Sequence, residues 1–161
     1  MSKTQRYIGA PNAVILCVDV FHPERLQGRM YHSYSALPGI FQSTEQMTFQ
    51  MEELYEKLQF PHASTNERSF KDEKKPYHQA EERVQIMSDL ELLSKHGDLG
   101  TFIVRVQHRQ NSSWQGRITW MEQDKTINFR SVWEMIKLIE SAVDTVSEEE
   151  EDEETPNWPK D

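Results

Sequence analysis

The residues with the richest chemistry lie between positions 105 and 117, where the sequence reads RVQHRQNSSWQGR. This stretch combines cationic side chains, small polar side chains and one indole ring. Arginine suits phosphate and carboxylate groups because its planar guanidinium group donates two parallel hydrogen bonds. A tryptophan ring next to it can stack on a base. The sequence therefore predicts a site for an anionic ligand, formed by Arg105, His108, Arg109, Asn111, Ser113, Trp114 and Arg117.

Two short motifs in this stretch resemble the signature motifs of PilZ domains, which bind cyclic di-GMP. Arg105 to Arg109 spells RxxxR, and Asn111 to Gly116 spells NxSxxG. In that family the arginines grip phosphates and a guanine, and the polar turn contacts the ligand. The resemblance implies an anionic nucleotide held by arginine. It covers 12 of 161 residues, and one residue separates the motifs, whereas the PilZ arginine motif lies well before the turn.

Catalytic and metal-binding patterns do not stand out in the chain. The six histidines form no HxxxH or HExxH motif, and Cys17 has no second cysteine to join it. Asp19 follows an apolar run, as acids do in some hydrolytic enzymes, but no second motif accompanies it. No serine or cysteine has an evident base. The sequence predicts a non-enzymatic protein with no catalytic residue, no metal site and no cofactor.

The chain contains the same pattern twice. Residues 13–57, shifted by 88 positions, lie on 101–145 without a gap, and about three identities would be expected by chance. Nine pairs are identical: Ile15/Ile103, Val18/Val106, Gln27/Gln115, Gly28/Gly116, Arg29/Arg117, Phe41/Phe129, Ser43/Ser131, Met47/Met135 and Glu52/Glu140. The segments WQGRITW and FRSVWEMIKLIESAV also resemble a small bacterial domain without an assigned activity, and that resemblance implies no function.

Each copy reads as three strands followed by a helix, which predicts an α+β fold with a duplicated β-β-β-α unit. An antiparallel meander would pack one helix on one face. The expected strands are 13–21, 28–34 and 40–41 in the first copy and 101–108, 115–122 and 126–129 in the second. Gly28 and Gly116 are expected near the start of a strand. The sequence does not choose between one continuous sheet and two sheets packed back to back.

The helices carry start signals and apolar stripes. Ser43 and Ser131 are each followed three residues later by Gln or Glu, the spacing of a capping box. The second helix is expected to end near Val143. The expected buried stripes are Met47, Met51, Leu54 and Leu58 in the first helix and Val132, Met135, Ile136 and Ile139 in the second.

Strand alternation places the candidate site on the sheet. Phe102, Val104 and Val106 should point toward the helix, and Arg105 should point the other way. Arg117 in the partner strand should share that open face.

The remaining segments differ from the repeats in composition. A helix is predicted over 78–96, with Val84, Met87, Leu90 and Leu93 on one side and Gly97 as its stop. The block Glu148 to Glu154 is acidic throughout and is expected to be disordered. The predicted organisation is a first repeat over 1–58, a polar loop and linking helix over 59–100, a second repeat over 101–146 and a disordered acidic tail over 147–161.

The formal net charge of −9 comes mostly from that acidic block, because the rest of the chain has 20 acidic and 18 basic residues. A single cysteine fits a reducing cytoplasm. The apolar run at 13–18 is too short to cross a membrane, and no signal-peptide core follows the start. The expected location is cytoplasmic, without a membrane partner.

Two functions remain open on the sequence. The first is a cytoplasmic binding or adaptor protein whose second repeat presents the arginine and tryptophan surface to a nucleotide or a phosphorylated partner. The alternative is a protein-interaction or inhibitor protein that engages a basic partner through the acidic tail or an open sheet edge. Short sheets leave unpaired edges, so a homodimer is a further expectation.

Overall fold

The computed structural model describes residues 12–23, 25–59, 84–110 and 113–154, with only the backbone at 110 and at 147–154. The protein is α+β, and its described part contains one six-stranded antiparallel sheet and three helices. The strands are β1 (Val14–His22), β2 (Arg25–Tyr31), β3 (Gly39–Phe41), β4 (Gly100–Gln110), β5 (Ser113–Trp120) and β6 (Lys125–Phe129). The helices are α1 (Thr44–Leu58), α2 (Asp89–Leu93) and α3 (Val132–Glu154).

The six strands form one continuous sheet in the order β3-β2-β1-β4-β5-β6. Each strand is antiparallel to its neighbours, so β1 and β4 are central and β3 and β6 are the edges. We call β1–β3 with α1 the first half, and β4–β6 with α3 the second half. Ile15 lies directly opposite Ile103 where the two halves meet, and these positions are 88 residues apart.

The same offset of 88 relates the pairings inside the two halves. Val18 pairs with Gly28, and Val106 pairs with Gly116. Beyond these pairs both ladders shift register, between Val18 and Val20 in β1 and between Val106 and His108 in β4. The extra residue of each bulge bends its strand and increases the local twist.

Gly28 and Gly116 lie opposite these bulges, where the neighbouring backbone comes very close. A Cβ atom added at Gly28 would clash with the carbonyl oxygen of Cys17, and one at Gly116 would clash with that of Arg105. The sequence placed these glycines near the start of a strand. That prediction is wrong, because β2 and β5 already begin at Arg25 and Ser113. The glycines are needed for close approach inside the sheet.

The main core lies between the sheet and the helices α1 and α3, on what we call the front face. The predicted stripes pack there: Met47, Met51 and Leu54 from α1 and Met135 and Ile139 from α3 are buried against the sheet, with Leu58, Val132 and Ile136 partly buried. Phe102, Val104 and Val106 face the same core, as strand alternation predicted.

Serine side chains cap both of these helices. Ser43 Oγ accepts a hydrogen bond from Gln46 N at 3.1 Å, and Ser131 Oγ accepts one from Glu134 N at 3.0 Å. The start signals read from the sequence are therefore confirmed at both positions.

A smaller core lies on the opposite side of the sheet, which we call the back face. Met87 and Leu92 cover Ile15, Cys17 and Ile103 there. Within 84–96, the helix predicted over 78–96 is confirmed only for the five residues of α2, and Val84 and Leu90 of its predicted stripe are each 82% exposed. Two backbone hydrogen bonds to Ser33 O, from residues 86 and 87, hold this segment on the sheet instead of a helical turn. Residues 78–83 lie outside the described residues.

Helix α3 is longer than the sequence indicated. Among its described side chains, which end at residue 146, the last buried one is Val143, near the predicted end, but the helix continues to Glu154. The disordered tail predicted from 147 is therefore corrected for 147–154, which are helical in backbone. Residues 155–161 lie outside the described residues.

Candidate functional site

Two arginines lie side by side on the back face of the second half. Arg105 in β4 and Arg117 in β5 are direct partners across the antiparallel ladder. Their neighbours Val104, Val106 and Ile118 pack into the front core, so the two guanidinium groups emerge on the opposite side. We call Arg105 and Arg117 the arginine pair.

The two guanidinium charges of the arginine pair repel each other. Burial, and then the positive charge of Arg117, lower the pKa of Arg105 from its ordinary value. Like charges directly opposite one another on a sheet are destabilising. Arg105 Nη1 donates to Thr119 Oγ1 at 3.2 Å. Arg117 is exposed, and within the described part of the chain no ion pair or hydrogen bond engages its side chain.

Polar side chains surround the arginine pair on the same face. Thr119 Oγ1 and Thr126 Oγ1 are hydrogen-bonded at 2.9 Å, and Asn128 lies opposite Arg117 across β5 and β6. His108 is exposed two pairs further along the ladder, beyond the bulge, where it lies opposite Gln115. This surface offers guanidinium, hydroxyl, amide and imidazole groups, and none of its described members is an acid.

On the equivalent surface of the first half, the arginine is engaged by hydrogen bonds and an ion pair within the protein. Arg29, 88 positions before Arg117, donates to both carboxylate oxygens of Asp19 at 3.1 and 3.2 Å. It also donates to Tyr31 Oη at 2.9 Å and to His96 O at 2.8 Å. The hydrogen bond to Asp19 raises the pKa of Arg29. In the second half the position of Asp19 is taken by exposed Gln107, so that position supplies no carboxylate.

Two of the predicted site residues lie on the front face instead. Arg109 is 2% exposed and binds Glu52 at 3.1 Å and Glu56 at 2.9 Å, both from α1. Trp114 is buried and meets the edge of Tyr55, with ring centroids 5.4 Å apart. Arg109 and Trp114 therefore hold α1 on the sheet and do not join the arginine pair.

The β4 bulge explains why the RxxxR motif does not converge. In a regular strand, Arg105 and Arg109 would point to the same face because they are four residues apart. The bulge between Val106 and His108 adds one residue and turns Arg109 to the front. The two arginines consequently lie on opposite sides of the sheet.

The remaining predicted residues fall into three situations. His108 shares the back face with the arginine pair. Ser113 Oγ donates to Arg130 O at 3.3 Å, at the turn before α3. Asn111 lies outside the described residues. Alternation in β5 already placed Thr119 on the outward side with Arg117, whereas Thr126 and Asn128 were missed, although their alternation with Ile127 is the signal that places them on the back face.

Other titratable groups of the described residues do not build a second polar site. Burial raises the pKa of the Cys17 thiol to about 11, so the thiol stays protonated at neutral pH. Burial likewise raises the pKa of Tyr55. Among the side chains that the structure describes, at 12–23, 25–59, 84–109 and 113–146, no three His, Cys, Asp or Glu groups come together as metal ligands. In that same part of the chain, no helix combines the length and the apolar character needed to span a bilayer.

Comparisons with known proteins returned no matching family model, no significantly similar curated protein and no significantly similar solved structure. The function is therefore inferred from the geometry of the site alone.

Proposed function

We propose that this is a non-enzymatic binding or adaptor protein, and that the back face of its second half holds an anionic group such as the phosphate of a nucleotide or of a phosphorylated partner. The observation that carries the proposal is the arginine pair, in which two cations face each other across β4 and β5. A bound dianion between them would turn their mutual repulsion into attraction for a shared ligand. Each guanidinium group carries five N–H donors, enough for two parallel bonds to one phosphate.

The neighbouring groups add to this proposal. Thr126 and Asn128 extend the polar surface toward the edge strand β6, and His108 extends it along β4. Trp114, which the sequence assigned to the ligand surface, is not part of this proposed site because it is buried under α1.

The test is a titration of the protein with pyrophosphate and with mononucleotides at low salt, followed by NMR chemical shifts or calorimetry. Arg117→Ala should weaken binding at least about tenfold, since hydrogen bonds to charged groups contribute about 1.5–3 kcal/mol each. Binding should also weaken as salt is raised, because an exposed site is screened.

Arg25→Ala is the matched control, since it removes an exposed arginine from the β2 end of the β1–β2 hairpin in the other half. It should leave the affinity within about twofold of the unmodified protein. Equal affinity for the Arg117→Ala and unmodified proteins, or equal losses in both variants, would contradict the assigned site.

We also propose that the two halves arose by duplication of one β-β-β-α unit. The proposal is supported by strand pairings, bulges and helix caps that recur at an offset of 88 residues. It is further supported by Gly28 and Gly116, because a Cβ atom at either position would clash with a backbone carbonyl oxygen of the neighbouring strand.

A second candidate function is the binding of a basic protein surface through the end of α3. The helix runs on for eleven residues after Val143, and its last turn contains no basic residue. The C-terminus of a helix carries a partial negative charge, so the acidic residues 148–154 oppose the helix dipole there. A basic partner would relieve that repulsion.

Two variants test this candidate. Replacing the seven acids at 148–154 by Gln keeps the chain length and removes the charge, whereas removing 147–161 deletes the segment. If the acids bind a partner, both changes should abolish its capture from the native cell while the fold is retained. Unchanged capture in both variants rules the candidate out.

A further inference from the structure

Each half of the protein contains a cleft between its outer strands and its helix, and the two clefts are built at equivalent positions. The first cleft lies between β2–β3 and α1, and the second lies between β5–β6 and α3. Eight lining positions of the first cleft recur in the second at an offset of 88 residues. Examples are Met30 and Ile118 in the strands, and Leu54 and Ala142 in the helices.

The chemistry of the first cleft is polar and internally paired. Lys57 Nζ lies 3.0 Å from Glu53 Oε1 in an ion pair on α1. Gln50 Nε2 donates to Ile40 O at 2.7 Å, which ties the helix to the edge strand β3. The first cleft therefore pairs its lysine with a carboxylate of its own.

The second cleft has the opposite character. Gln50 is replaced by Leu138, Glu53 by Ser141 and His32 by Trp120 at the equivalent positions. Trp120 stacks on Phe102 with ring centroids 6.5 Å apart, which gives the cleft a flat aromatic wall. Ile127 on the edge strand is 48% exposed, so apolar surface remains in contact with water.

The lining of this apolar cleft includes the positively charged side chain of Lys125. Lys125 is exposed, and within the described part of the chain no acid pairs with it. The hydroxyl groups of Ser141 and Thr145 donate to carbonyl oxygens of α3, at 2.9 Å each. Lys125 is thus the group of the cleft that favours an anionic ligand atom.

We propose that the second cleft binds a small aromatic monocarboxylate, with its ring between Trp120, Ile127 and Leu138 and its carboxylate at Lys125. The cleft volume is about 240 Å³. Since a water molecule occupies about 30 Å³ in the liquid, the space holds about eight non-hydrogen atoms, enough for a phenyl ring and a two-carbon side chain with the carboxylate oxygens at the open rim. The site lies on the front side of the sheet, so it does not depend on the arginine pair.

The experiment is an NMR titration of the full chain with phenylacetate, read at the indole signal of Trp120 and at the methyl groups of Ile127 and Leu138. Phenylacetamide and acetate are the matched probes that lack the charge and the ring. Phenylacetate should give saturable shifts, and both control compounds should bind at least about threefold more weakly. Absence of saturable shifts, or equal binding of phenylacetamide, would overturn the proposal.

Two substitutions locate the site. Lys125→Met on the exposed rim should weaken phenylacetate about threefold at low salt, which is the range for an exposed ion pair. Leu138→Gln, which introduces the first-cleft residue, should weaken it about tenfold or more. The reverse exchange Gln50→Leu in the first cleft is the control and should have no effect. A loss of binding in Gln50→Leu, or an unchanged affinity in Lys125→Met, would refute the assignment.

Discussion

Arg109 is predicted to stabilise the fold, and its replacement by alanine should lower the free energy of unfolding by about 2–3 kcal/mol. Removing one partner of a buried ion pair typically costs about 3–5 kcal/mol. Here the acceptors Glu52 and Glu56 are 32% and 50% exposed, so they regain water when the guanidinium group is lost, and the cost falls below that range. The Arg109 guanidinium also lies 5.8 Å from the ring centroid of Tyr55, a cation–π contact whose loss is part of this cost.

Urea unfolding followed by circular dichroism measures this change. For a chain of this size, 2–3 kcal/mol corresponds to a lower melting temperature by roughly 4–12 °C. Arg117→Ala is the matched control, because the same residue type is removed from an exposed position in the paired strand, and its effect should stay within about 0.5 kcal/mol. Equal unfolding midpoints for Arg109→Ala and Arg117→Ala would refute the assignment of Arg109 to the core.

The other predictions concern the bulges and the buried thiol. Gly28→Ala and Gly116→Ala should each destabilise the protein by more than about 1 kcal/mol and by similar amounts, because each Cβ would meet a backbone carbonyl at an equivalent place. Gly100→Ala is the milder comparison, since its nearest contact is the side chain of Phe102 at 3.1 Å; dissimilar losses at Gly28 and Gly116 would argue against equivalent halves. The Cys17 thiol has its pKa raised to about 11 by burial, whereas an unfolded thiol titrates near about 8.5. Its contribution to stability is therefore complete below about pH 8.5 and is lost as the pH rises toward 11, a decline that urea titrations should show to be smaller in Cys17→Ala.

Much of the fold could be read from the sequence because its signals are local. The capping serines, the apolar stripes of α1 and α3, and the alternation in β4 all act within a few residues. The sequence did not choose between one sheet and two, because that choice depends on how β1 meets β4. It also predicted a helix across 84–88, where the backbone amides of residues 86 and 87 bond to Ser33 O instead. A contact with the turn after β2, distant in sequence, overrode the local helical pattern.

The candidate site was only partly predictable for a related reason. Alternation correctly placed Arg105 and Arg117 on the back face, away from the helices. It failed at Arg109 because a bulge leaves no clear mark in a single sequence, yet it reverses the direction of every later side chain in the strand. Gly116 was the nearest available signal, since a glycine inside a strand often marks a bulge or a close approach.

The two halves differ in the same way at both proposed sites. On the back face, Arg29 is held by Asp19, whereas the described residues supply Arg117 with no carboxylate. In the clefts, Lys57 is paired with Glu53, whereas the position of Glu53 in the second half is Ser141. An internal partner competes with any external ligand for the same donors, so a cation that already has one gains less by binding. Arg29 and Lys57 of the first half are therefore less available to an external anion. Introducing a carboxylate at the equivalent position of the second half, by Gln107→Asp, should allow the arginine pair to form an ion pair like that of Arg29 with Asp19. The substitution should therefore weaken the proposed anion binding at the arginine pair.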